Sequence, residues 1–177
     1  MTPSAFAAMI AGRYSASRLD HLHPGLCQYE PVRNELQGLV TRGGSLFTLE
    51  TIGASVDGRL LSMISMGTGM RRVLLWSQMH GDEPTATLAL LDLLQMILLH
   101  RDEEWVHAML RGISVWIVPL VNPDGAECRQ RRNSAGIDIN RDAHALATPE
   151  AKALHAVCSR LRPEFGFNLH DQGLSSV

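Results

Sequence analysis

Disulfide frameworks, membrane spans and a strong charge of either sign are all missing from this 177-residue chain. The three cysteines, Cys27, Cys128 and Cys158, are an odd number at wide spacing. They form neither a disulfide framework nor a CxxC metal knuckle, and read as free thiols in a reducing compartment. Sixteen Lys and Arg against eighteen Asp and Glu leave a formal net charge of −2. No basic field therefore argues for nucleic acid or an anionic membrane as partner. Lys and Arg are absent before the small apolar run Ala5–Ile10, which is also short for an export signal. The longest apolar stretch, around Leu88–Leu99, is interrupted by Asp92 and Gln95, so no transmembrane helix is expected. Together these absences predict a cytoplasmic location. Internal repeats and low-complexity tracts are lacking too.

What is present is an ordinary globular composition, 45% apolar and 19% charged, at a length that buries a real core. Residues 1–45 read as an N-terminal extension without a clear pattern: Ala5–Tyr14 suits a short helix, and Pro24, Gly25 and Pro31 break the stretch after it. From residue 46 to 177 the pattern sharpens. Phe47–Gly53 and Leu60–Gly67 read as strands joined around the turn dipeptide Asp57-Gly58. Arg72–Gln78 and Ile113–Pro119 carry short apolar runs suited to strands buried on both faces, and Glu164–Leu169 reads as a third core strand. Leu90, Leu91, Leu94, Ile97 and Leu98 repeat at helical spacing in a segment opened by Pro84-Thr85. Thr148-Pro149-Glu150 is a helix start with a hydroxyl cap, a first-turn proline and an acid at the positive dipole end. The alternation predicts an α/β fold: a mixed, largely parallel central sheet flanked by helices.

Ligands in such sheets gather beyond the carboxyl ends of the strands, and His80, Asn122 and His170 each come just after a predicted strand. Met79-His80-Gly81-Asp82-Glu83-Pro84 places an imidazole and a carboxylate three residues apart on one strand-to-helix turn. With His170 they make a two-His, one-carboxylate set, the composition of a catalytic zinc site that keeps a position open for water. Such a metal lowers the pKa of water toward neutrality and polarises a carbonyl. The polar segment from Asn122 to Asp142 is too long to be idle in a compact domain. Its Pro-Asp-Gly is also a common turn, so Asn122–Gly125 reads as shaping the loop. His21-Leu22-His23 with Cys27 lacks complementary ligands. His100, His107, His144 and His155 read as surface or helix-end residues.

These motifs resemble those of the carboxypeptidase A-like zinc carboxypeptidases. HxxE at His80–Glu83 is succeeded by NPDG at Asn122–Gly125, RxN at Arg131–Asn133, GIDINR at Gly136–Arg141 and a later histidine, His170. Upstream, Ile52–Arg59 resembles that family's strand-turn with a serine and a closing Gly-Arg. The resemblance implies a partial zinc-carboxypeptidase fold with one Zn2+ held by His80, Glu83 and His170. It implies that Arg131, with Arg132 as the neighbouring alternative, polarises the scissile carbonyl. It makes Asn140 and Arg141 the pair that grips the terminal carboxylate, for which a guanidinium is suited. It assigns Asp138 to orienting the first zinc-binding histidine.

The implied reaction is zinc-dependent hydrolysis that releases a C-terminal amino acid from a peptide through zinc-activated water. The implied substrate is a peptide, or an acyl-amino acid, with a free carboxylate. The chain departs from the family after His170, where a substrate-contacting tyrosine and a general-base glutamate are implied and neither is matched. Asp82, Asp142 and Asp171 are acids near in sequence, but none matches that base. The chain thus reads as truncated at its C-terminus, with activity in doubt. Two rival readings stand beside this one: an N-acyl amino acid amidohydrolase resembling aspartoacylase or succinylglutamate desuccinylase, and a non-catalytic zinc-binding remnant.

Overall fold

Both faces of the central strands are covered, which is why they carry continuous apolar runs rather than alternating ones. In the computed structural model, which describes residues 2–171, five strands form one sheet in the order β1-β2-β4-β3-β5. They are β1 (Thr48–Ala54), β2 (Leu60–Met66), β3 (Arg71–Ser77), β4 (Ile113–Val118) and β5 (Phe165–Leu169). β2 pairs antiparallel with β1 and with β4, whereas β3 runs parallel to β4 and to β5. The sheet is therefore mixed, as the sequence pattern predicts, with a hairpin half and a crossover half. Every strand lies within two residues of the run that announced it.

Among the described residues six α-helices accompany the sheet: α1 (Pro3–Ser17), α2 (Tyr29–Gly43), α3 (Thr85–Leu99), α4 (Glu104–Gly112), α5 (Pro123–Cys128) and α6 (Pro149–Leu161). One face of the sheet presents Ile64, Met66, Val115 and Ile117 to α2, α3 and α4, and Leu39, Leu91, Leu94 and Val106 are fully buried there. The other face presents Met63, Leu74 and Val118 to Ile139 and to Val157 of α6. Neighbours in β4 thus enter opposite cores, as a period of two requires. Burying each leucine of these layers contributes about 2 kcal/mol relative to exposure.

Residues 29–43 are the largest departure from the sequence reading. Pro31, a breaker by composition alone, stands in the first turn of α2, where a missing N–H breaks no intrahelical bond. Val32, Leu36 and Leu39 of that helix are buried in the main core. α1 also runs longer than Ala5–Tyr14, capped by Thr2, whose hydroxyl accepts from Ala5 N at 3.3 Å. α6 begins as anticipated, with Thr148 Oγ1 accepting from Ala151 N at 3.2 Å. Among the described residues, no helix is long and apolar enough to cross a membrane.

Parallel pairing fixes where the chemistry gathers. Trp76 lies opposite Val118 and Asn168, and Ser77 opposite Leu169, so β3, β4 and β5 end at one edge of the sheet. The segments holding His80, Asn122 and His170 all leave from that edge.

Candidate metal centre at the strand ends

The turn after β3 is held from below and from the side. Glu83 N bonds back to His80 O at 3.1 Å, closing the turn before α3 begins. Gly81 packs against the backbone of α5, where a Cβ would collide with Gly125 and Ala126, so only glycine fits. Asn122 locks the next segment to this turn. Its side-chain amide donates to Met79 O and to Arg131 O, each at 3.2 Å, and its oxygen accepts from Gly125 N at 2.9 Å. The residue expected to shape the loop does so, by joining the histidine turn to the arginine loop.

On this frame the two imidazoles and the carboxylate converge. Glu83 Oε1 lies 2.7 Å from His80 Nδ1 and Glu83 Oε2 lies 2.7 Å from His170 Nδ1. The ring centroids are 4.8 Å apart. One ligand atom from each of His80, Glu83 and His170 lies within 4.8 Å of the others, a group able to hold a metal ion. On its far side, His80 Nε2 contacts Asp138 Oδ1 at 3.1 Å. A ring N–H donated there leaves Nδ1 as the nitrogen with a lone pair facing the cluster. His80 Nδ1 also lies 3.2 Å from Arg131 Nη1: carrying a proton it donates to Glu83, and without one it accepts from the guanidinium, so it serves only one of the two at a time. Two nitrogens and a carboxylate facing one point fit a divalent transition metal such as zinc.

The local charges are mutually tuned. Burial opposes ionisation of Glu83, but hydrogen bonds from His170 and His80 outweigh it and hold the carboxyl below its ordinary range. Burial likewise opposes ionisation of Asp138, and the hydrogen bond and charge of Arg131, with His80 behind them, bring it below its usual value. Arg131 reaches Asp138 through Nε at 3.1 Å and Nη2 at 3.0 Å, and its Nη1 lies 3.7 Å from Glu83 Oε1. Arg132 turns away and donates to Gly136 O at 2.9 Å.

Asn140 and Arg141 stand on two sides of a short 3-10 turn, Ile139–Arg141. Asn140 accepts from Asn168 Nδ2 at 3.2 Å, beside a groove of about 230 Å³ with Trp76, Met79 and Leu154 in its walls. Arg141 borders a separate open depression with Arg132, Asp138 and Asp142. His21 pairs with Glu35 and His23 caps Gly25, so neither joins a metal cluster with Cys27. Of the nearby acids, Asp142 accepts from Ala147 N, Thr148 N and Thr148 Oγ1, and Asp171 accepts from Thr85 N.

Two residues, Asp124 of the loop-shaping segment and Glu150 of the helix start, have buried roles that the sequence reading did not assign. Asp124 is buried and gathers Ser55 Oγ at 2.7 Å, Asp57 N at 3.0 Å, Arg59 Nη1 at 2.7 Å and Ser134 Oγ at 3.2 Å. The strand-turn motif around Ser55 and Arg59 and the Asn122–Gly125 motif are thus two ends of one network. Glu150, read as a helix-start acid, is fully buried and accepts from Val56 N at 3.2 Å and Asn133 Nδ2 at 3.3 Å. Burial pushes its carboxyl above the ordinary range. The signal available for both was the presence of the two motifs in one chain, not any local pattern.

Comparison with known proteins agrees with this picture. A family model described as zinc carboxypeptidase matches residues 32–170. Carboxypeptidase E of Caenorhabditis elegans is 35% identical over 54% of this chain and 25% of its own length. Carboxypeptidase 2 of Trichophyton tonsurans is 29% identical over 56% of this chain and 18% of its own. A metallo-carboxypeptidase of Pseudomonas aeruginosa, solved in complex with (2-guanidinoethylmercapto)succinic acid, superposes with a TM-score of 0.68 at 25% identity. That alignment covers 79% of this chain and 40% of the other. The chain thus spans about a fifth of the length of the fungal relatives it matches.

Proposed function

Because the chain belongs to the zinc carboxypeptidase family, we propose that His80, Glu83 and His170 hold one Zn2+ and serve metallocarboxypeptidase-type hydrolysis of a peptide's C-terminal bond. The observation that carries this reading is the convergence of those three side chains, from two distant stretches of sequence, within 4.8 Å. Zinc held there supplies Lewis acidity toward water and toward a carbonyl oxygen.

The chain's own residues do the rest. Asp138 orients His80 through Nε2, as outer partners of ligating histidines do. Arg131, rather than Arg132, is the guanidinium at the cluster, 3.2 Å from His80 Nδ1, and its cation stabilises charge growing on a carbonyl oxygen. Asn140 and Arg141 are assigned to the free carboxylate of the substrate, a joint grip that requires the Ile139–Arg141 turn to bring to one side two side chains that face separate depressions. Among the described residues Arg141 has no ion-pair partner, which leaves its planar donors available for bidentate binding. The tyrosine and base glutamate that the resemblance calls for match nothing within residues 2–171. The share of the reaction assigned to residues 2–171 is metal binding, carbonyl polarisation and carboxylate anchoring.

Zinc titration of the full chain, with a chromophoric chelator in competition, tests the first step. One Zn2+ per chain, lost in His80→Ala, is the expected result, and no stoichiometric uptake ends the reading. Release of the last residue from a blocked tripeptide, compared with cleavage of an N-acetyl amino acid and repeated with chelator, tests the second. Faster cleavage of the N-acetyl compound would move the assignment to an amidohydrolase. Zinc uptake without either reaction would leave a metal-binding module.

A further inference from the structure

We infer that Gln78 is a positioning residue for the metal turn, bracing it against the segment around Cys27. This rests on the zinc reading above but concerns residues to which that reading gives no part.

Gln78 comes directly after β3 at φ +51°, in the left-handed region that glycine adopts freely and a glutamine does not. Its side chain is fully buried, where a polar amide is costly unless every group is paired. Here all of them are. Nε2 donates to Gly81 O at 3.0 Å and to Cys27 O at 3.3 Å. Oε1 accepts from Thr87 Oγ1 at 2.7 Å and from Cys27 Sγ at 3.4 Å. Burial pushes the Cys27 thiol up to about 12, so it stays a neutral S–H donor. The single Thr87 hydroxyl proton has two acceptors at 2.7 Å, Gln78 Oε1 and Pro119 O, and Ser77 also donates to Pro119 O at 2.6 Å, so that carbonyl keeps a donor when the Thr87 proton goes to Gln78. Both amide hydrogens meet carbonyls, and the amide oxygen faces a hydroxyl and a thiol, each able to donate to it.

The placement of these bonds gives Gln78 its role. Gly81 is the residue between His80 and the end of the turn that carries Glu83, so its carbonyl sets the orientation of the peptide linking two of the three ligands. Thr87 lies in the first turn of α3, just beyond Glu83. The backbone of Gln78 accepts from Asn122 N at 3.0 Å, tying the same residue to the segment after β4. Cys27 comes from the opposite direction. The segment it belongs to is itself tied to α5, since Gln28 Nε2 donates to Glu127 O at 3.1 Å and Tyr29 N to Glu127 Oε1 at 2.9 Å. α5 is the helix against which Gly81 packs. Residues 27–29 therefore grip both walls of the turn, and Cys27 lies outside the family match, which begins at residue 32. The four bonds of the amide, spanning turn and segment, offset the cost of a left-handed glutamine.

Gln78→Gly relieves the backbone while deleting the amide, and Leu39→Ala, a core variant remote from the turn, gives the baseline for general destabilisation. Zinc affinity by chelator competition and the visible absorption of the cobalt-loaded chain are read for each. Gln78→Gly should weaken Zn2+ binding about tenfold, as loss of an outer partner does, and alter the cobalt spectrum. Leu39→Ala should change neither. Gln78→Gly matching Leu39→Ala in both readouts overturns the inference. Should Gln78→Gly fail to fold, Thr87→Val decides. A weaker site with an altered cobalt spectrum supports the brace, and an unchanged site rejects it. A wild-type chain that takes up no zinc would instead remove the premise, a failure of the functional reading visible before any variant is made.

Discussion

The two imidazoles of the centre stand in unlike surroundings. His80 is 3% exposed, its Nε2 is engaged by Asp138, and its turn is pinned by Asn122 and by contact with α5. His170 is 27% exposed at the side chain, and its Nε2 is buried without a hydrogen-bond partner among the described residues. It stands just past β5, which among the described residues pairs only with β3 and leaves Phe165 and Phe167 46% and 47% exposed. One half of the site is organised by many buried tertiary bonds; the other, among the described residues, by the pairing of β5 with β3 and by more exposed bonds from Glu83, Asn140 and Thr85. Local stability tracks such differences in burial and bonding, so the His170 side opens first when the fold loosens.

Ligand removal breaks the comparison most severely. Both His80→Ala and His170→Ala should abolish stoichiometric zinc uptake in the chelator assay. They should differ in the metal-free chain. His80→Ala strips a buried partner from Asp138 and Glu83 and should cost about 1–3 kcal/mol in urea unfolding. His170→Ala should cost less than about 1 kcal/mol. Equal losses would mean that the two sides are equally organised.

Asp124 underlies the stable half. Asp124→Ala leaves Arg59 and Ser55 without their acceptor and should cost about 3 kcal/mol, somewhat tempered because Arg59 is 31% exposed at its side chain. The network also has a pH signature. Burial opposes the charge of Asp124, yet hydrogen bonds from Ser55, the Asp57 N–H and Arg59 hold its carboxyl below the ordinary value. A folded value below the unfolded one gives stability that is complete above about pH 4 and lost as pH falls through the folded value. Glu150, raised by burial, has the opposite sign and gains relative stability as acid protonates it. Acid unfolding should therefore be steeper below pH 4 in the wild type than in Asp124→Asn.

Asp138→Asn sharpens the contrast at the metal itself. Zinc affinity should fall about 10- to 100-fold, with folding little changed, because the amide holds His80 less firmly than a carboxylate. An unchanged affinity would show that the turn alone orients the ring.

The same contrast explains what the sequence made legible. β3 and β4 were readable because burial on both faces demands unbroken apolar runs such as Val73–Trp76. α2 also carries the periodic Val32, Leu36 and Leu39, yet Pro31 hid it, since a proline in the first turn and one that ends a helix look alike locally. α4 passed unread because nine residues around a single buried Val106 give too little period. At the site, His80 and Glu83 share one turn and were visible together, and His170 was read with them from its place after a predicted strand; the parallel register of β3 and β5 is what brings it to them. Ser55 and Asp124 are 69 residues apart, and no local pattern announces their bond. The separation of Asn140 from Arg141 is likewise set by the backbone of a three-residue turn.

Phe167 gives the smallest effect and the most direct check on the looser half. A half-exposed aromatic on a strand whose outer edge has no partner among the described residues contributes little to folding, because little of its surface leaves water. Phe167→Lys should thus change urea unfolding by no more than about 0.5 kcal/mol. The same side chain matters for association, since an uncharged strand, Phe165–Leu169, with open backbone groups is a template for another edge, and lysine is the residue that blunts one. Light scattering at rising concentration should show less self-association in Phe167→Lys than in wild type. A loss of about a kilocalorie or more in unfolding would instead mean that β5 is held through Phe167. The His170 side would then be as firmly built as the turn that carries His80.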